Sequence, residues 1–67
     1  MRGVLVTYFG SRKFGFLQPE DGGPDVLVHE RDFAKSAQPR EGAKCEFDIV
    51  SDRSRKSGYR AERVKIL

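Results

Sequence analysis

The sequence predicts an all-β protein: one small, partly open barrel of five strands, forming a single domain over residues 1–67. Three observations support this prediction. Short runs of β-branched and aromatic residues recur between glycine and proline turn signals. No segment has a helical apolar period of useful length. In a chain of 67 residues, five short strands would leave exposed sheet edges unless the sheet curls round on itself.

The breaks between the predicted strands follow from turn chemistry, because glycine reaches positive φ and proline fixes φ. Gly10 and Ser11 supply the first break, and a glycine- and proline-rich cluster from Pro19 to Pro24 supplies the second. Residues 38–42 and 51–58 supply the others, residues 30–36 form at most one helical turn, and Phe33 is expected to anchor that loop to the core. The predicted strands are residues 4–9, 14–18, 26–29, 44–50 and 59–67.

Alternation along two of these strands predicts the core. In residues 44–50, Cys45, Phe47 and Ile49 share one face and charged residues occupy the other, so the first set is predicted to be buried. In residues 26–29, β-branched Val26 and Val28 are predicted to face inward.

The second strand presents a less ordinary pattern. Phe14 and Phe16 share one face, and Gly15 lies on the other. An inward glycine fits a tightly coiled barrel wall without room for a side chain, so both rings are predicted to face outward, beside Leu27 and His29. Such an apolar patch with a basic rim suits the stacking of single-stranded nucleic-acid bases. The alternatives are that the rings lie in the core, cover a flank of the barrel or form a dimer contact.

Composition and charge indicate which type of partner and which cellular compartment to expect. Thirteen Lys and Arg against ten Asp and Glu give a net charge of +3, which suits an anionic partner but is also common without one. No apolar run approaches the ~18 residues that a membrane-spanning helix needs, and the N-terminus does not resemble an export signal. Cys45 has no partner for an internal disulfide. We therefore expect a cytoplasmic protein without membrane association.

No constellation of residues indicates catalysis. His29 is the only histidine, which argues against a catalytic triad or a multi-histidine metal site. Cys45 alternates with apolar residues and is expected to be a buried small residue. The acidic residues of the second break, Glu20, Asp21 and Asp25, are better explained by turn chemistry than by a cation loop. We expect no enzyme activity, metal or cofactor.

The segment KFGFLQP, followed by DGGPDVLVH, resembles the paired ribonucleoprotein-type motifs of the cold-shock domain family, which usually read KGFGFI and DVFVH. The resemblance extends over residues 3–64: GVLVTYF is similar to the family's first strand, REGAKCEFDIV to its fourth and SGYRAERVKIL to its fifth. It implies a five-stranded antiparallel OB-fold barrel that binds single-stranded RNA or DNA, often pyrimidine-rich. Carried over by position, it implies an aromatic platform of Tyr8, Phe9, Phe14, Phe16, Leu27 and His29, with Lys13 and Asp25 at its edge.

Several positions depart from the family pattern. Tyr8 stands where the family usually has tryptophan, Leu27 where it has phenylalanine and Glu30 where it has an aromatic residue, and the usual first-strand lysines correspond to Leu5 and Thr7. The glycine of KGFGF is missing. Uncompensated, these changes would remove one or two stacked bases, or ~2–5 kcal/mol of binding free energy.

The loop before the last strand could compensate for the lost stacking, since this loop flanks the binding face of an OB-fold. Tyr59 adds a ring there, and cations can contact phosphates or stack on bases. The alternative is that a basic hairpin tip is simply solvated. The cations of this cluster are Arg53, Arg55, Lys56 and Arg60.

These observations together predict a single-stranded RNA- or DNA-binding protein that acts as an RNA chaperone or as a regulator of transcription or translation. The alternative hypothesis is a protein-interaction or self-association module on the same barrel, with weakened nucleic-acid binding. A monomer is the default expectation, and a dimer is the alternative.

Overall fold

The computed structural model describes residues 1–34, 37–56 and 58–67, and over these ranges the chain forms a closed barrel of five strands. Each strand begins and ends within two residues of its predicted bounds, and the all-β prediction is confirmed. A 3-10 turn (Glu30–Asp32) follows the third strand. The strands are β1 (Arg2–Phe9), β2 (Phe14–Pro19), β3 (Val26–His29), β4 (Lys44–Ser51) and β5 (Tyr59–Ile66).

The barrel runs in the order β1-β2-β3-β5-β4, and β1 closes it by pairing with β4 through Arg2–Glu46, Gly3–Cys45 and Val4–Lys44. This closure is more complete than the partly open barrel that the strand pattern predicted. Among the described strands, β3 and β5 make the one parallel contact, at the single residue pair Leu27–Arg60. A separate bridge joins Phe33 to Val64. The seam between β3 and β5 therefore has fewer paired residues than any other junction between neighbouring strands of the described barrel.

The core contains most of the residues that alternation assigned to it. Val26, Val28, Cys45 and Phe47 are buried as predicted, and Phe33 is buried against them. Since Phe33 follows the 3-10 turn, it anchors that loop to the core as expected. The other buried hydrophobic residues in the described ranges are Leu5, Leu17, Ala43, Ala61 and Val64.

The prediction that Ile49 is a core residue is wrong, because its side chain is 36% exposed. Ile49 is paired with the buried Ala61 on β5, but it faces an open cleft instead of closely packed core side chains. This cleft of about 260 Å³ is also lined by Pro19, Pro24, Val26 and Tyr59. Alternation identified the correct face of β4 but not the open cleft beside Ile49.

Candidate nucleic-acid interface

The outer face of β1, β2 and β3 carries a contiguous group of apolar and aromatic side chains. Residues paired across neighbouring strands share a face of the sheet. Phe9 is paired with Phe14, Phe14 with His29, and Phe16 with Leu27, so the pairing brings all five to one surface. We call these five residues, Phe9, Phe14, Phe16, Leu27 and His29, the aromatic platform.

The three phenylalanines form a row of rings in contact. The ring centroids of Phe9 and Phe14 are 5.2 Å apart, and those of Phe14 and Phe16 are 6.0 Å apart. Phe9 is 44% exposed, and the other platform residues are half-buried. The rings therefore support one another at their edges and keep part of their surface in solvent, which is the arrangement that base stacking needs.

Gly15 allows this arrangement, as the sequence predicted. Its α-carbon faces the barrel interior, where an added Cβ would lie 2.3 Å from the carbonyl oxygen of Thr7 and 2.9 Å from Cδ1 of Tyr8. No side chain larger than hydrogen fits there without movement of β1. Phe14 and Phe16, on either side of Gly15, consequently face outward.

The expected position of Tyr8 on the platform is corrected by the structure. The turn after β1 closes with the Lys13 N–H donating to the Phe9 carbonyl at 2.8 Å, which places Phe9 opposite Phe14 and Tyr8 opposite Gly15. Tyr8 therefore turns toward the core, where its ring packs edge-on against Phe33 at 6.1 Å. A contact between Tyr8 and nucleic acid stays a prediction, but Tyr8 is not part of the row of rings.

Two observations describe the surroundings of the Tyr8 side chain. Partial burial, and to a smaller extent the nearby Glu30 carboxylate, raise the pKa of the Tyr8 phenol, so the phenol stays a neutral donor at physiological pH. The Tyr8 backbone N–H donates to Oε2 of Glu41 at 3.1 Å. Glu30 and Glu41 therefore both lie close to Tyr8, at the edge of the platform.

The β1 strand also differs from the expected correspondence with the family's surface lysines. A register shift between Leu5 and Thr7 places an extra residue, Val6, in β1. Leu5 is fully buried in the core, whereas Thr7 lies opposite Phe16 on the outer face. Of the two positions, only Thr7 lies on the outer face that carries the aromatic platform.

His29 is held by the turn that follows it. Its Nδ1 accepts a hydrogen bond from the Arg31 N–H at 3.3 Å, as the cap of the 3-10 turn. In the neutral ring this leaves the proton on Nε2, which is then the donor that His29 can offer to a base.

The two residues expected at the platform edge are both exposed. Lys13 lies in the β1–β2 turn with a left-handed φ of 61°, and its carbonyl accepts the Glu30 N–H at 2.8 Å. Asp25 precedes β3 and lies on the rim of the cleft that contains Ile49. Lys13 and Asp25 thus flank opposite ends of the platform strands.

The basic cluster separates into two groups, which the sequence did not predict. Arg60 lies within 3.3–3.6 Å of carboxylate oxygens of Asp32, Asp52 and Glu62, and Arg55 lies 3.5 Å from Asp52. By contrast, Arg53 and Lys56 are exposed at the hairpin tip, and neither forms an ion pair with a described carboxylate. Nothing in the spacing of Asp32, Asp52 and Glu62 along the sequence indicates that they would meet one cation.

Asp52 organises the hairpin between β4 and β5. Its Oδ1 accepts hydrogen bonds from the Ser54 hydroxyl at 2.6 Å and the Ser54 N–H at 3.0 Å. These hydrogen bonds are the main cause that lowers the pKa of Asp52, and the charges of Arg55 and Arg60 contribute less. The carboxylate is therefore ionised over the whole physiological range.

Tyr59 does not join the aromatic platform. It is paired with Ser51 and is 52% exposed, and it lines the cleft that contains Ile49. A larger cleft of about 500 Å³, lined by Arg2, Pro19 and Leu67 among others, also contains no platform residue.

The described residues contain no group of three or more His, Cys, Asp or Glu side chains that could hold a metal ion. No helix among them is long and apolar enough to cross a membrane.

The closed five-stranded barrel and its strand order are those of the OB-fold. The family model of the 'Cold-shock' DNA-binding domain matches residues 1–67, and the chain belongs to this family of nucleic-acid-binding domains.

Named relatives and a solved structure agree with this assignment. The chain is 43% identical over 55 residues to Cold shock protein CspA of Rhizobium meliloti (strain 1021), covering 78% of this chain and 80% of the relative. It is 34% identical over 68 residues to the Cold shock-like protein of Aquifex aeolicus (strain VF5), covering 98% and 93%. Drosophila Unr CSD456 superposes with a TM-score of 0.78 at 21% identity, over 98% of this chain and 26% of that one, which supports the fold.

Proposed function

We propose that this protein binds single-stranded RNA or DNA, without catalysis, by stacking bases on the aromatic platform. The observation that carries the proposal is the row of Phe9, Phe14 and Phe16, whose centroids are 5.2 and 6.0 Å apart on the outer face of the barrel. Base stacking on aromatic side chains contributes ~1–3 kcal/mol per base. Three adjacent rings therefore suffice for appreciable binding.

The shape of the platform favours single strands over duplexes. The rings present their surfaces on the outer face of a sheet, and in a duplex the faces of the bases are already stacked on one another. Lys13 at one edge, and Arg53 and Lys56 on the hairpin, are exposed cations that suit contacts with phosphates. Because every base has a π-face, we expect modest sequence preference, with pyrimidine-rich strands preferred as the family resemblance implies.

For the cell we propose an RNA chaperone or a regulator of transcription or translation that acts in the cytoplasm as a monomer. Membership of the cold-shock domain family and the names of the relatives support this proposal. A platform that stacks bases without reading many of their edges suits such a role, because it holds strands open without requiring one sequence.

A second candidate function is a protein-interaction or self-association module on the same barrel. The apolar cleft lined by Ile49 and Tyr59 favours it, since both side chains are exposed away from the platform. Leu27 also favours it, because a leucine gives apolar contact but no π-face for a base.

The experiment that tests the proposal is a fluorescence anisotropy titration of labelled pyrimidine-rich single strands at low and moderate salt. The double variant Phe14→Ala/Phe16→Ala removes two stacking rings, so we expect a loss of ~2–6 kcal/mol of binding free energy, or roughly 30-fold to 10⁴-fold in Kd. Binding by the wild-type protein is expected to weaken with salt through counterion release.

The matched control is Ile49→Ala, which truncates an exposed apolar side chain outside the platform and is expected to leave Kd unchanged. Circular dichroism verifies that each variant is folded. If the folded wild-type protein binds no strand at low salt, the proposal is wrong. Concentration-dependent dimerisation, measured by light scattering, would then support the second candidate.

A further inference from the structure

The guanidinium of Arg60 joins parts of the chain that are distant in sequence. Its Nη1 lies 3.4 Å from Oδ1 of Asp32, its Nε 3.3 Å from Oδ2 of Asp52, and its Nη2 3.6 Å from Oε2 of Glu62. The Arg60 side chain is 26% exposed, and each of the three carboxylate side chains is at least as buried. Charged hydrogen-bond partners at this burial are screened less by water than surface pairs are.

The three carboxylates belong to different elements. Asp32 ends the 3-10 turn after β3, Asp52 begins the hairpin after β4, and Glu62 lies on β5, the strand of Arg60 itself. The ion pairs with Asp32 and Asp52 therefore connect separate elements. The pair with Glu62 connects two residues of one strand.

Arg60 also borders the aromatic platform. Its backbone is paired with Leu27 at the seam between β3 and β5, so the two side chains lie on the same outer face. From this position the guanidinium reaches Asp52, which holds the hairpin turn through Ser54 and Arg55. Because the same guanidinium also contacts Asp32 in the turn after β3, Arg60 links the base of the hairpin to the end of a platform strand.

The contacts of Arg60 argue against a phosphate-binding role. Each of its three guanidinium nitrogens already faces a carboxylate oxygen at 3.3–3.6 Å, so a phosphate would have to displace one of these ion pairs. The hairpin cations that lie outside this network are Arg53 and Lys56, both exposed.

We infer that Arg60 is a positioning residue: it fixes the hairpin beside the platform, so that Arg53 and Lys56 reach phosphates of nucleotides beyond those stacked on the rings. Arg60 thereby sets the length of single strand that the protein holds. This inference rests on the proposed function, since it presupposes that the platform binds a strand.

The test compares Asp52→Asn with the control Glu62→Gln. Each variant removes one negative charge next to Arg60 and preserves side-chain shape, but only Asp52 belongs to the hairpin connection, whereas Glu62 lies within β5. The probes are labelled oligothymidine strands of about four and about ten nucleotides, which bracket the smaller site sizes of one OB-fold. Kd is measured over a series of salt concentrations.

In Asp52→Asn we expect the wild-type preference for the longer strand to disappear. The salt slope of log Kd for that strand should fall by about 1.4, because two phosphate contacts at about 0.7 each are lost. Binding of the short strand should be unchanged. Glu62→Gln should behave as the wild type with both strands.

A second variant keeps the test decisive if Asp52→Asn folds poorly. Arg60→Lys retains the charge but not the fork that reaches two carboxylates at once, so we expect it to lose the long-strand preference. If Arg60 instead binds a phosphate, Arg60→Lys should resemble the wild type, and Asp52→Asn should bind more tightly with a steeper salt slope.

Three results would overturn the inference: the phosphate-ligand pattern just described, equal behaviour of Asp52→Asn and Glu62→Gln, or equal weakening of short- and long-strand binding. The last would indicate a purely structural role. Each requires that the wild-type protein binds the short strand. Absence of that binding would instead overturn the proposed function, so the two failures are distinguishable.

Discussion

Replacing Gly15 by alanine should destabilise the barrel and weaken the platform together. The added Cβ would lie 2.3 Å from the Thr7 carbonyl oxygen and 3.1 Å from the Tyr8 Cα, whereas real Cβ atoms essentially never approach closer than 3.0 Å. Because the nearest atom belongs to the backbone, β1 must move as a strand. Overpacking of this kind costs about 1–3 kcal/mol. For a domain of this size, 1 kcal/mol corresponds to about 4–8 °C in Tm, so we expect a decrease of about 4–24 °C.

Thermal unfolding followed by circular dichroism measures this change, and Gly10→Ala is the matched control. A Cβ at Gly10 would meet nothing within 4 Å, so its effect should stay within about 0.5 kcal/mol. The movement of β1 also separates Phe9 from Phe14, and anisotropy titrations should therefore show weaker strand binding by Gly15→Ala. If the two variants melt at the same temperature, the argument that Gly15 seals a tight barrel wall is refuted.

Three further predictions concern single side chains. Leu27→Phe adds a ring opposite Phe16, and we expect one more stacked base to tighten Kd by roughly 5-fold to 150-fold; an unchanged Kd in the same titration would contradict this. Lys13→Gly relieves a left-handed φ of 61° and should raise the free energy of unfolding by about 1 kcal/mol. The salt slope of log Kd for strand binding should fall by about 0.7, because one cation is lost. A lower Tm would show that the turn is not strained. Burial raises the pKa of the Cys45 thiol above its ordinary value of 9.0, so a thiol reagent should label Cys45 only on unfolding. The contribution of the buried neutral thiol to the free energy of unfolding is complete below pH 9 and is lost as the pH rises further. Denaturant titrations of the wild-type protein and Cys45→Ala at several pH values would detect this loss.

The strands and most of the core were predictable because period-two alternation and turn residues are local signals. Val26, Val28 and Phe47 are buried as alternation requires, and Gly15 correctly indicated outward phenylalanines. The residue that breaks the pattern is Val6, the extra residue at the register shift in β1. Neither glycine nor proline marks this position, so the sequence does not show that Tyr8 turns inward.

The remaining differences arise from tertiary structure. The exposure of Ile49 depends on the open cleft between the β4–β5 hairpin and the β2–β3 connection, and the partners of Arg60 depend on which loops meet at the seam. Asp32 and Asp52 are twenty residues apart in the chain, and only the folded barrel brings both to one guanidinium. The sequence therefore showed how many cations the basic cluster contains, but not that Arg55 and Arg60 are paired with carboxylates.

The position of β5 in the barrel has a consequence for synthesis of the chain. The last of the five barrel strands in chain order, β5, lies between β3 and β4 in the sheet. Until β5 emerges from the ribosome, β3 and β4 have unpaired edges and the apolar interior is open to water. We therefore expect the barrel to close, and the platform to reach its final form, only after residues 59–66 have emerged.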